Sequence, residues 1–141
     1  NNLIEAKHYT IIDDCYNANP ASMKSSLDVL AYADTRKVAI LGDMGELGAD
    51  ELAMHREVGA YAAFKNTDVL ICIGLLSKDM AEAAKETVLA TEKSMKVFHF
   101  DTKEDFYQNM NQILNENDTI LIKASHFMEF PEIVKKLSEE V

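Results

Sequence analysis

Short apolar runs alternate with helix-patterned stretches five times along this chain, and that alternation limits its folds more than any other feature. The runs cover residues 8–14, 37–41, 68–73, 96–100 and 119–123, and they are continuously apolar rather than alternating with polar residues. Continuous apolar strands belong to a parallel sheet buried on both faces, with helices crossing over between them. The expected fold class is therefore α/β: a Rossmann-like three-layer sandwich with a mostly parallel sheet of five to six strands and helices on both faces. One domain over residues 1–141 fits that length.

Local chemistry marks where the helices start. Asn19 is a suitable N-cap and Pro20 fits a first turn, so a helix is expected over 20–33, with Met23, Leu27 and Leu30 at helical spacing. A second helix is expected over 50–64, and a third from Ser77, read as its cap, to about residue 91. Asp101-Thr102-Lys103-Glu104 has the form of a capping box opening a fourth, which runs to about Leu114. A fifth is expected over 129–140, with Pro131 in its first turn and its acidic side solvated. Met23, Met80 and Met110 are read as core filler.

Charge and cysteine usage exclude several functions. The balance of 14 basic against 24 acidic residues gives a net charge of −10, which argues against nucleic acid, a ligand that requires a basic footprint. No stretch approaches the ~18 unbroken apolar residues of a membrane span. Cys15 and Cys72 are neither a zinc knuckle nor a CxxC pair. Two thiols, with no secretory signal in Asn1-Asn2-Leu3-Ile4-Glu5, imply a reducing cytoplasm. The missing initiator Met implies a fragment or a processed product.

In parallel α/β sheets, ligands bind outside the carboxyl ends of the strands. The unusual residues fall there. Asp13-Asp14-Cys15-Tyr16-Asn17-Ala18-Asn19-Pro20 follows the first run. Its carboxylates suit ribose hydroxyls or a water-bridged metal, and Asn17 and Asn19 suit a base or sugar. The plain alternative is that Asn19 only caps a helix and the aspartates only end a strand. Gly42-Asp43-Met44-Gly45-Glu46-Leu47-Gly48 follows the second run. It lacks the Gly-Lys-Ser/Thr of a P-loop and the placement of a dinucleotide fingerprint, so it reads as a structural turn. His55 reads as a core or surface histidine rather than a base. Lys123-Ala124-Ser125-His126 follows the last run. There Lys123 can neutralise an acidic ligand group and Ser125 can bond a carboxylate, unless they merely end a strand and cap a helix.

Two families share this order of elements. Paired aspartates after the first strand, Thr102 after the fourth and Lys123 after the fifth resemble a phosphoacceptor receiver domain. That family needs an aspartate ending the third strand, where this chain has Cys72-Ile73-Gly74. The closer resemblance is to the C-terminal domain of the Mur ligases, in the branch that adds D-alanyl-D-alanine to UDP-N-acetylmuramoyl-tripeptide. Ile12-Asp13-Asp14-Cys15-Tyr16-Asn17-Ala18-Asn19-Pro20, continuing through Ser22-Met23, is similar to its Asp-Asp-x-Tyr-Asn-Ala-Asn-Pro signature. Leu41 to Gly48, with His55 and Val58-Gly59, is similar to its second segment. Ile122-Lys123-Ala124-Ser125 resembles its Lys-Gly-Ser strand end. Ala124 stands in place of the usual Gly, and His126 in place of the usual Arg.

The resemblance implies an ATP-dependent ligase of peptidoglycan synthesis. ATP phosphorylates the terminal carboxylate of the UDP-muramoyl peptide, and the dipeptide amine attacks the acyl phosphate. ATP and Mg²⁺ would be bound mainly by a central ATPase domain, which this chain lacks together with the UDP-sugar domain. No metal ligand is assigned here. Asp14, Asn17 and Asn19 would face the nucleotide, and Lys123, Ser125, His126 and Phe127 the incoming dipeptide. The isolated chain is expected to fold without catalysing. The competing reading is a receiver-like or nucleotide-binding α/β module without catalysis.

Overall fold

The computed structural model describes residues 2–139. In chain order the elements are β1 (Asn2–Glu5), β2 (Thr10–Asp13), α1 (Pro20–Leu30), β3 (Lys37–Gly42), α2 (Glu51–Phe64), β4 (Val69–Ile73), α3 (Ser77–Thr91), β5 (Lys96–Phe100), α4 (Lys103–Ile113), β6 (Thr119–Lys123) and α5 (Pro131–Ser138). Short 3-10 turns at Gly48–Asp50 and His126–Met128 lead into α2 and α5. One six-stranded sheet runs β1-β2-β6-β3-β4-β5. The five expected strands are all present and parallel; the sixth, β1, pairs antiparallel with β2, setting Asn2 opposite Asp13.

The side chains of each central strand divide between two cores, as the two-residue period of a strand requires. Ala39, Leu41 and Leu121 face a core closed by Met23, Leu27 and Leu30 of α1, Val58 and Ala62 of α2, and Met80 and Ala84 of α3. Val38, Ile40, Ile120 and Ile122 face the other, closed by Phe106 and Ile113 of α4 and by Ile133, Val134 and Leu137 of α5. Three helices therefore cover one face and two the other. Met23 and Met80 are fully buried in the first core, and Met110 packs on the edge of the second. The expected solvated side of α5 is its outer face, since Ile133, Val134 and Leu137 are buried.

Several helix ends differ from expectation. Asn19 does cap α1, and Ser22 bonds back to it in a capping box, so the reciprocal box sits here. At α4 only half of such a box forms: Thr102 accepts from Asp105 N–H. Helix α1 stops at Leu30, three residues early, and α5 begins at Pro131 after the 3-10 turn. Its expected last residue, Glu140, lies outside the described residues. Ser77 is not a cap but the first residue of α3. Asp43 takes over that duty from the neighbouring loop: its Oδ1 accepts from Ser77 N at 2.8 Å and from Ser77 Oγ at 2.7 Å. A carboxylate there also suits the positive end of the helix dipole.

Strand order decides against the receiver resemblance. Receiver-type sheets run 2-1-3-4-5. Here the last strand, β6, lies between β2 and β3. The same arrangement locates a crevice. Chains leaving β2 and β3 enter α1 and α2 on one face, whereas the chain leaving β6 enters α5 on the other. Loops that part to opposite faces leave a cleft between the carboxyl ends of β2, β6 and β3.

Candidate functional site

Three loops meet at that cleft: Asp14 to Asn19 after β2, Asp43 to Leu47 after β3, and Ala124 to Phe127 after β6. Their closest tie is between Asp14 and Lys123. Lys123 ends the central strand β6, and its side chain is 3% exposed. Its Nζ donates to Asp14 Oδ2 at 2.8 Å. Ser26 Oγ, from α1, donates to the same carboxylate oxygen. Burial acts to raise the Asp14 pKa, but the bonds from Lys123 and Ser26 outweigh it, so the carboxyl sits below its ordinary value. Next along the chain, the Cys15 thiol donates to Ile122 O at 3.4 Å, and burial pushes its pKa well up. This sulfur is a packing group, not a nucleophile.

The β3–α2 loop is clamped residue by residue. Met44 N donates to His55 Nε2 at 3.0 Å, and His55 Nδ1 lies 2.7 Å from Glu51 O. A carbonyl at Nδ1 requires the proton there, leaving Nε2 as the acceptor. His55 is fully buried, so of the two places expected for it, core or surface, it occupies the core, with the added task of holding a loop. Gly45 N donates to Ser125 Oγ at 2.7 Å, Ser125 N donates to Asp43 O at 3.1 Å, and Ser125 Oγ reaches Ala18 O at 3.5 Å. Ser125 thus joins all three loops.

Two glycines permit this closeness. A Cβ on Gly42 would come within 2.8 Å of Ala124 Cβ, and one on Gly45 within 2.8 Å of the Phe127 ring. Ala124, in the place of the usual Gly, is fully buried and packs its methyl against Gly42.

The site residues expected from sequence thus divide into two groups. Asp14, Lys123 and Ser125 converge, but on one another. Asn17 and Asn19 are exposed on the rim. Each spends its side-chain oxygen locally, Asn17 on Ala18 N and Asn19 on Ser22 N, both at 2.9 Å. Their amide NH₂ groups have no partner among the described residues. His126 and Phe127 are exposed, and Phe127 overlies Gly45. Sequence reading did not single out Ser26 or Asp43, and it took Ser77 for a cap rather than for the partner of Asp43; the partners lie 12 to 34 residues apart, and no local signal marks the pairing. No three His, Cys, Asp or Glu among the described residues are placed to hold a metal ion. No helix among them is long and apolar enough to cross a membrane.

A doubly wound sheet with polar loops at its switch point defines the class, an α/β domain of the kind in which ligands bind outside the strand ends. Comparison with known proteins narrows the class: residues 2–126 match the family described as Mur ligase, glutamate ligase domain, and the chain belongs to that family. It is 36% identical over 132 residues to the UDP-N-acetylmuramoyl-tripeptide--D-alanyl-D-alanine ligase of Bacillus subtilis, covering 92% of this chain and 28% of that protein. Against the ligase of the same name from Escherichia coli the identity is 31% over 136 residues, covering 95% and 28%. Among solved structures, MurF from Acinetobacter baumannii superposes with a TM-score of 0.83 at 26% identity, over 99% of this chain and 29% of that one. MurF ligase from Thermotoga maritima, in complex with ADP, gives 0.75 at 27% identity, over 97% and 30%. The chain therefore spans under a third of the length of these relatives.

Proposed function

We propose that this chain is the C-terminal lobe of an ATP-dependent ligase that joins D-alanyl-D-alanine to UDP-N-acetylmuramoyl-tripeptide through an acyl phosphate. The observation that carries this reading is the meeting of the Asp-Asp-Cys-Tyr-Asn-Ala-Asn and Lys-Ala-Ser segments in one cleft, joined by the 2.8 Å Asp14–Lys123 pair. Had these segments lain on opposite edges of the sheet, they could not share a ligand. The names of the similar proteins support the substrates, and the ADP complex of one structural relative supports the nucleotide.

In this reading the lobe contributes surfaces. The free NH₂ groups of Asn17 and Asn19 and the rim beside Asp14 face the nucleotide. Lys123 acts indirectly, by holding Asp14 in place. Ser125 likewise sets the position of Gly45 and Phe127, and Phe127 and His126 face the dipeptide. No three His, Cys, Asp or Glu among the described residues are placed to hold a metal ion, and in this reading Mg²⁺ would be held by the central ATPase domain. The sequence has no Gly-Lys-Ser/Thr to cradle phosphates, and that task also falls to the central domain. Closure of the lobe would exclude water from a hydrolysable acyl phosphate. A cytoplasmic location follows from nucleotide-linked substrates and two free thiols.

The test is an amide-synthesis assay with ATP, UDP-N-acetylmuramoyl-tripeptide and D-alanyl-D-alanine. The intact ligase carrying this lobe should release phosphate and form the pentapeptide, and the isolated chain should do neither. Turnover by the isolated chain would overturn the half-site reading.

A further inference from the structure

The loop after β3 has the glycines of a structural turn, but Asp43 within it is held in a way no turn requires. Asp43 is 7% exposed, and no Lys, Arg or His among the described residues pairs with its carboxylate. Its Oδ1 instead takes both donors of Ser77, the first residue of α3: the N–H at 2.8 Å and the hydroxyl at 2.7 Å. Gly74, just after β4, makes room for the carboxylate. A Cβ there would stand 2.6 Å from Asp43 Oδ2, and the φ of 119° is one that glycine adopts readily and other residues do not. Helix α3 is a firm anchor, because Ser77 and Met80 are fully buried and Met80 packs on α2 at Gly59.

The main chain of Asp43 reaches the loop after β6. Its carbonyl accepts from Ser125 N at 3.1 Å. The 3-10 turn that carries His126 and Phe127 starts from Ser125 and closes on it, Met128 N donating to Ser125 O at 3.0 Å. The Ser125 hydroxyl accepts from Gly45 N at 2.7 Å, where the Phe127 ring overlies Gly45. Asp43 is therefore one hydrogen bond away from the residue on which the dipeptide-facing surface is built. The nucleotide-facing residues are held by other bonds: Asn17 by Ala18 N, Asn19 by Ser22 N, and Asp14 by Lys123 and Ser26.

We infer that Asp43 is a positioning residue for dipeptide binding: its side chain anchors the loop to α3, and its carbonyl fixes the Ser125 main chain from which His126 and Phe127 project. The inference rests on the ligase reading above. A surface fixed in advance binds more tightly, because less freedom is lost when the ligand arrives.

Steady-state kinetics of the intact ligase test this. Asp43→Ala should raise KM for D-alanyl-D-alanine by about tenfold, while KM for ATP and for the UDP-muramoyl tripeptide stays within about twofold. Asp43→Asn keeps an acceptor oxygen for Ser77 and should restore the dipeptide KM to within about threefold of the parent. Ser77→Ala keeps the N–H donor and loses only the hydroxyl, so its dipeptide KM should rise about threefold with the other two unchanged; it carries the test if Asp43→Ala does not fold. A fall in kcat with all three KM values unmoved would mean a structural role only and overturns the inference. So does a parallel rise of all three KM values, or an Asp43→Asn variant as impaired for the dipeptide as Asp43→Ala. Absence of turnover by the unmutated ligase would overturn the ligase reading and this inference with it.

Discussion

Lys123 Nζ lies 2.8 Å from Asp14 Oδ2, which ties the end of the central strand β6 to the loop after β2. The lysine is almost fully buried, so Asp14 is its counter-charge within the fold. Removing one partner of such a pair strands the other charge in a poorly solvated place. Asp14→Asn should therefore lower stability by about 3 kcal/mol. The double variant Asp14→Asn with Lys123→Met should recover part of that loss, because no buried charge is left behind. Urea unfolding of the three variants decides the point, and equal midpoints for Asp14→Asn and the parent would contradict it.

The same pair sets an acid limit. Folding lowers the Asp14 pKa below its ordinary 3.8, so on acidification the unfolded chain takes up this proton first. The contribution is fully present above the unfolded value and is lost as pH falls below it and through the folded one. The stability gap between the parent and Asp14→Asn should be constant from pH 7 to about 5 and should close towards pH 2. Urea midpoints at intervals across that range are the measurement. A gap that widens on acidification would mean the carboxylate is not stabilised in the folded state.

The ease of reading each feature follows the distance over which it is determined. The start of α1 was readable because Asn19, Pro20 and Ser22 settle it within a few residues. Ser77 was misread as a cap because its true partner, Asp43, is 34 residues earlier. Strand β1 carried no apolar pattern, since Asn2 to Glu5 are mostly exposed and held by antiparallel pairing with β2. The insertion of β6 between β2 and β3 is a topological choice that chain order does not encode, yet it creates the cleft. Asp14, Lys123 and Ser125 stood out singly as strand-end polar residues. That they bind one another follows only from that insertion.

His55 offers a test of the loop clamp. An apolar replacement, His55→Leu, fills the space but leaves Met44 N–H buried without an acceptor, which costs about 1–3 kcal/mol. His55→Gln keeps an acceptor oxygen at a similar reach and should retain more stability. Hydrogen exchange at the Met44 and Gly45 amides should rise sharply in His55→Leu and less in His55→Gln. Unchanged protection in both variants would show that the loop is held without the imidazole.

Both thiols should be inert in the folded protein. Cys72 is fully buried in β4 and Cys15 nearly so, and burial raises the pKa of each. Since the thiolate is the reactive form, a disulfide reagent at pH 8 should label neither until the chain unfolds. Labelling should then track the unfolding transition in urea. Rapid reaction of Cys15 in native buffer would mean that the loop after β2 opens readily.

Glycine replacements should separate packing from site geometry. A Cβ on Gly59 would run into the main-chain oxygen of Met80, where α2 and α3 cross. Backbone cannot swing aside, so Gly59→Ala must push the helices apart, at a cost of about 2 kcal/mol or more. A Cβ on Gly45 would crowd the Phe127 ring, at 2.8 Å, and meet Ser125 Oγ at an ordinary 3.7 Å, and the Phe127 side chain is exposed enough to move. Gly45→Ala should therefore cost less than about 1 kcal/mol while displacing the ring. In the intact ligase it should weaken dipeptide binding without lowering Tm much, whereas Gly59→Ala should lower Tm several degrees. Thermal melts set beside dipeptide KM values distinguish the two, and equal Tm losses would place Gly45 in the packing rather than at the ligand surface.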